Sequence, residues 1–482
     1  MSQAIEYRSP PVEGSLLSRL GPRIDSLDLL RGIAILGIFL MNTWTMSMPQ
    51  SAYTNPTLYS PDWSYTQNAF PGGSGQEVLT GVNYWTFVVI HEFADMKFIT
   101  MFSIMFGAGI LLQGERAGIR GRNPWAVHYA RMGVLLCFGL IHAFFMWYGD
   151  ILTAYALCGL ILFPIRRFYP AILTGIGMLM ICSVTAIDMA YANHLDVPVT
   201  DVAGIHFRRD INPLTFFDRV DSDYYRGGNN REIEAYRGTY DWQTQTFKGS
   251  YKNEMKHRAY EEIRTLLEGF PTWEFLRCGG CILLGMALQR RRFFHGEWSK
   301  EAYASIAGIV TVIGWMISWL GVMYNDRSGW VEGRDFFSLW GIGVEFNYWG
   351  SLLCTFGYMC FGVLLAIWAA DVSRWMLRAC LVPIRSVGRM ALSNYISQTV
   401  IGTFIFYGHG LGYFGQLSRA QLVPIVLVTW CLQLTASTIW LRYFRQGPLE
   451  WFWHSIVYWK WKSPLLPREV ATVPQTAETI AQ

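Results

Sequence analysis

His142 and Asp150 flank the turn of a hairpin that reads HAFFMWYGDILTAY from His142 to Tyr155, where two long apolar segments meet. An imidazole beside a carboxylate is an arrangement that removes protons, because the carboxylate orients the ring and stabilises its charged form. Ionisable side chains at membrane depth cost roughly 2.5 to 3.5 kcal/mol each on insertion scales, so they mark a pathway, a relay or a site. Nearer the aqueous end that cost falls, and Asp150 then reads as a helix cap after Gly149. A second set lies upstream, with His91 and Asp95 four apart on one helical face and Lys97 just beyond. Helix starts at a wet interface also carry such residues, and the Lys97 ammonium must snorkel outward or pair with Asp95 or another helix. Asn394 and Gln398, again four apart, either line a polar centre or join helices. Arg23, Asp28 and Arg31 offer a planar fork suited to phosphate, or simply a marker of topology.

The elements that must hold these groups are membrane helices. The 482 residues are 52% apolar, 16% aromatic and only 15% charged, which is not soluble composition. Apolar runs near the ~20 residues needed to cross a bilayer recur along the chain. The net charge of +4 comes from short basic clusters between these runs, and no basic stripe indicates nucleic-acid binding. The nine cysteines lie in or beside apolar segments, where they behave as small hydrophobes. Cys278-Gly-Gly-Cys281 has the spacing of a zinc half-site, but it stands alone and its glycines suit close helix packing, so no metal is expected.

Arg8, Arg19, Arg23 and Arg31 lie before or at the start of the first span, whereas the loop from 47 to 83 carries no Lys or Arg, which puts the N-terminus in the cytoplasm. Alternation of basic clusters predicts an all-α polytopic membrane protein of about ten transmembrane helices with a helical extracytoplasmic insertion. The expected organisation is a cytoplasmic lead (1–28), spans one to five (29–190), an extracytoplasmic polar and amphipathic region (191–268), spans six to ten (269–447) and a cytoplasmic tail (448–482). His142, Asp150, His91, Asp95, Lys97 and His409 then share the outer level of the bundle. The predicted location is a bacterial inner membrane, with both termini cytoplasmic.

Six strings taken together are similar to the YeiB-like family of bacterial inner-membrane proteins, domain of unknown function 418. They are RIDSLDLLRGIAILGIFLMN, KFITMFSIMFGAG, the hairpin H-x4-W-x-GDIL-x2-Y, GRMALSNYISQ, IFYGHGLGYFGQL and FRQGPLEWFW. The first string also resembles the opening span of membrane acyltransferases of the acyltransferase-three kind and of heparan-glucosaminide N-acetyltransferase. That resemblance implies transfer of an acyl group from cytoplasmic acetyl-CoA or a longer acyl-CoA to an acceptor. The acyltransferase-three pattern has a histidine fourteen residues after the Asp matching Asp28, and here that position is Asn42. A base must then come from elsewhere, with His142 or His91 as candidates.

The expected activity is therefore acyl transfer to an extracytoplasmic sugar or small-molecule hydroxyl or amine. The donor would pass Arg23, Asp28 and Arg31 and reach a centre lined by Asn42, Lys97, Asn394 and Gln398. His142, oriented by Asp150, would act as base, with His91 and Asp95 as a second pair. The alternatives are a secondary transporter or exporter with a polar intramembrane relay, and a scaffold without catalysis. The lipid bilayer is the surrounding partner, and association as a homodimer is left open.

Overall fold

The computed structural model describes residues 24–54, 81–192, 242–327, 339–459, 461 and 463–465. Arg23 and the expected helix-forming run 231–240 lie outside the described residues.

The protein is an all-α polytopic membrane protein. Helix α1 (Asp25–Ser47) is followed by α2 (Val82–Phe93), α3 (Lys97–Ile119), α4 (Pro124–Phe145), α5 (Leu152–Leu162) and α6 (Pro170–Ala192). The second half comprises α7 (Tyr251–Arg264), α8 (Phe275–Arg290), α9 (Lys300–Arg327), α10 (Leu339–Ala370), α11 (Trp375–Arg389), α12 (Ala391–Phe406), α13 (Arg419–Tyr443) and α14 (Pro448–Tyr458). Among the described residues, seven helical stretches are long and apolar enough to cross a bilayer, α2 and α3 counting as one. The three other expected spans, α5, α8 and α12, are shorter and run through the bundle with largely buried surfaces.

Local sequence sets several boundaries. Asn123 accepts a hydrogen bond from Trp125 N at 2.9 Å, with Pro124 at the first helical position of α4. Ser418 and Gln421 form a reciprocal capping box at the start of α13. Span two is broken at Ala94–Met96, where Met96 has φ +59°. A side chain in that left-handed region costs roughly 1–2 kcal/mol, so the surrounding contacts must impose the bend.

Helix α1 is central and packs on α3, α10, α11, α12 and α13, while α8 lies between α3 and α6, and α9 runs along α10. Tight approach at the α3–α8 crossing requires glycine: a Cβ on Gly107 would strike the Ile282 carbonyl, and one on Gly285 the Ile104 carbonyl. Gly280 similarly meets the Gly177 carbonyl, so the Cys278–Cys281 stretch serves helix packing. Ile309, Ile313, Met316 and Leu320 form an exposed apolar stripe along α9, as a lipid-facing helix requires. The amphipathic segment expected to lie over the outer face is α7, but it continues through a π-helical stretch, Thr265–Glu274, directly into α8.

Candidate functional site

Helices α4 and α5 form the hairpin foreseen from the sequence, and they approach so closely at Gly139 that a Cβ there would collide with Thr153 N. The Asp150 carboxylate performs two tasks in the turn. Its Oδ2 accepts from Thr153 N at 2.7 Å, capping α5, and its Oδ1 lies 2.8 Å from His142 Nδ1. Cap and imidazole partner, read from the sequence as alternatives, are therefore the same residue. With the carboxylate ionised and the ring neutral, Nδ1 carries the proton and Nε2 presents its lone pair. The Thr399 hydroxyl of α12 meets Nε2 at 2.9 Å, completing an Asp150–His142–Thr399 line. Tyr395 packs 5.2 Å from the imidazole, and His142 and Asp150 are 1% and 7% exposed, inside the protein and away from lipid.

His91 and Asp95 build a separate network at the break in span two. Asp95 Oδ2 lies 3.1 Å from His91 Nδ1 and accepts from Asn347 Nδ2 at 2.9 Å. Lys97 does not snorkel: it is fully buried and donates to Asn347 Oδ1 at 2.9 Å and the His91 carbonyl at 3.1 Å. Beneath it, Arg277 donates to Thr100 and Ser351 and lies 4.1 Å over the Tyr348 ring.

The remaining candidates disperse. Asn394 donates to Ser437 Oγ and two backbone carbonyls, while Gln398 donates to Gln433 Oε1 and the Ile35 carbonyl. These amides join α12 to α13 and α1, the packing role weighed for them. Asn42 is half-buried, and its carbonyl accepts from Thr45. His409 pairs with Glu254 Oε2 at 2.8 Å, outside the His142 network.

Asp28 and Arg31, 3.7 Å apart, line a cavity of about 560 Å³ at the basic end of the bundle. Five further arginines reach it: Arg116, Arg120, Arg131, Arg389 and Arg445. Each reads in the sequence as a topology marker, and only folding assembles them. Arg131 and His142 both lie on α4, eleven residues apart and hence on nearly one face, about 16 Å along the axis.

At the other end, α7 seats on the hairpin. Arg258, fully buried, donates to the Phe145 and Met146 carbonyls at 2.7 and 2.8 Å and to Glu254 Oε2 at 2.8 Å. Glu262 of α7 is 2% exposed, and burial followed by the charge of Asp150 raises its carboxyl from 4.5 to about 7. Because the folded value exceeds the unfolded one, its contribution to stability is fully present below pH 4.5 and is lost as pH rises through 7. Glu262→Gln is expected to flatten that loss in thermal midpoints measured from about pH 4.5 to 8. His257, held down to about 4 by burial and Arg258, acts in the opposite sense, so the difference between wild type and variant is the readout. Superimposable pH profiles would remove Glu262 from this account.

A family model described as "Protein of unknown function (DUF418)" matches residues 288–460, from the end of α8 through α14. Full-length similarity extends to "Uncharacterized protein YeiB" of Escherichia coli (strain K12), 27% identical over 445 residues, covering 89% of this chain and 95% of that protein. "Uncharacterized protein YxaH" of Bacillus subtilis (strain 168) is 28% identical over 446 residues, covering 91% and 95%. An "Uncharacterized 39.9 kDa protein in amylase 3'region" of Bacillus acidopullulyticus is 26% identical over 454 residues, covering 94% and 98%. The chain thus matches the DUF418 model through its second half and is similar over nearly its whole length to YeiB and YxaH, which supports a YeiB-like DUF418 family.

Proposed function

We propose that the protein is an acyltransferase of a bacterial inner membrane, moving an acyl group from cytoplasmic acyl-CoA to a sugar or small-molecule hydroxyl or amine outside. The observation that carries this reading is the buried Asp150–His142–Thr399 line, with an imidazole lone pair available at Nε2. The acceptor would displace Thr399 from Nε2 and lose its proton there as its oxygen or nitrogen attacks the thioester carbonyl. The C–S bond then breaks, and the thiolate takes the proton from Nε2. Asp150 balances the transient imidazolium. The freed Thr399 hydroxyl supplies a donor for the oxyanion, a role for which Lys97 is unsuited because Asn347 and the His91 carbonyl hold it. The arginine-lined cavity supports the reading from the cytoplasmic side, since about 16 Å along α4 is close to the reach of an extended pantetheine arm.

The test is acyl-CoA-dependent release of free coenzyme A thiol by the purified protein in liposomes. Saturable release is expected, with slow release when water is the only acceptor. Absence of release with both short and long acyl-CoA donors overturns the proposal.

One observation favours a transporter: the His91–Asp95–Asn347–Lys97 network sits at a broken helix, the type of position where transporters bind ions or protons. In that case Asp95→Asn abolishes proton-coupled uptake and leaves thiol release absent throughout.

A further inference from the structure

We infer that the arginine-lined chamber binds a nucleotide carrying at least two phosphate groups, with the phosphates among the arginines and the base in an adjoining aromatic recess. Among the described residues, six arginines face the chamber against two carboxylates, Asp28 and Glu450. Asp28 is already close to Arg31, and Glu450 is committed to the start of α12, accepting from Leu392 N, Ser393 N and Ser393 Oγ. Like charges gathered around one partly desolvated space repel, so the arrangement favours a polyvalent anion as its occupant. The lining cations among the described residues are arginines, whose planar fork matches phosphate oxygens two at a time. A volume of about 560 Å³ lies in the range of small-molecule and cofactor sites.

The recess supplies the second, independent observation. It measures about 280 Å³ and shares Arg120, Arg445, Gln446 and His454 with the chamber. Trp451 and Tyr458 line it; Tyr458 already packs against Arg122 and His454, so a base entering the recess would stack on the Trp451 ring. Ser455, also in its wall and 1% exposed, has a hydroxyl with no hydrogen-bond partner. A buried hydroxyl left unpaired is costly, and a base edge or ribose hydroxyl in the recess would satisfy it. The inference deepens the acyl-transfer reading, because coenzyme A is such a nucleotide, but the site would accept one whether or not an acyl group moves.

The experiment titrates the full-length, detergent-purified protein with adenosine 3′,5′-bisphosphate, inorganic pyrophosphate and adenosine by calorimetry at low and high salt. Saturable binding of the bisphosphate is expected, weakening as salt rises. Arg120→Gln and Arg445→Gln, both at exposed positions, should each weaken it about tenfold, the scale of one charge-assisted hydrogen bond. Trp451→Ala should weaken the nucleotide and leave pyrophosphate unchanged. Arg292→Gln, an exposed arginine paired with Glu297 away from the chamber, should alter neither, and thermal midpoints report whether each variant folds. Pyrophosphate binding as tightly as the nucleotide, with no effect of Trp451→Ala, overturns the nucleotide assignment. So does titration in nanodiscs where a diphosphate lipid, but not the nucleotide, is bound in an Arg120- and Arg445-dependent way. Binding without thiol release removes the acyl-transfer reading and leaves this site standing, whereas thiol release without nucleotide binding does the reverse.

Discussion

Alanine at His142 is expected to lower thiol release from acyl-CoA by about a hundred- to ten-thousand-fold, the range that a positioned general base contributes. No other donor or acceptor is needed to explain so large a loss, because His142 bridges Asp150 and Thr399. Asp150→Asn should fall nearly as far for a different reason. An amide at this position can turn its NH₂ toward Nδ1, which reverses the tautomer and puts the proton on the nitrogen that must accept one. Thr399→Val should lose less, about a hundred- to a thousand-fold, since it removes one donor to the oxyanion and leaves the base in place. Asp150→Asn also keeps an oxygen able to cap Thr153 N, so its thermal midpoint separates catalysis from folding. A His142→Ala protein that folds and turns over donor at the wild-type rate would end the base assignment.

How much of this site is visible in the sequence depends on how far apart its parts lie. His142 and Asp150 are eight residues apart across one turn, so local reasoning finds both the pair and the hairpin that holds it. Thr399 lies 257 residues from His142, one of two threonines in its helix, and nothing in the sequence marks it as the partner of that imidazole. Lys97 shows the same limit. Its need for a partner can be read from the apolar run that follows, but Asn347, 250 residues away, cannot. The cavity arginines are visible one by one, and the charge rule accounts for each as a topology signal, so their convergence appears only in the fold. Asn394 and Gln398 fail in the opposite direction, because four-residue spacing puts two amides on one face without saying whether that face meets a cavity or another helix. The continuity of the helix from Tyr251 to Arg290 is likewise hidden in the sequence, since its composition changes from polar to apolar while its backbone runs on through a π-helical stretch containing Pro271.

Arg258→Met should cost about 3 to 5 kcal/mol of stability, the range for breaking a buried ion pair from one side. The guanidinium satisfies four acceptors at once: the Phe145 and Met146 carbonyls, left without helical partners where α4 ends, and the carboxylate and carbonyl of Glu254. Methionine fills much of the same volume but donates nothing, so these carbonyls and a buried carboxylate lose a donor together. The loss should appear as a lower thermal midpoint at a fixed scan rate in detergent. Glu254→Gln in the same chain should recover part of it, because an amide left beside His409 is less costly to bury than a charge. Activity should fall along with stability. Phe145 is three residues beyond His142 on the same helix, so a last turn that frays carries the imidazole away from Asp150 and Thr399. An Arg258→Met protein with an unchanged midpoint would mean that α7 rests on the hairpin without clamping it, and the geometry of the His142 site would then have to be maintained by α5 and α12 alone.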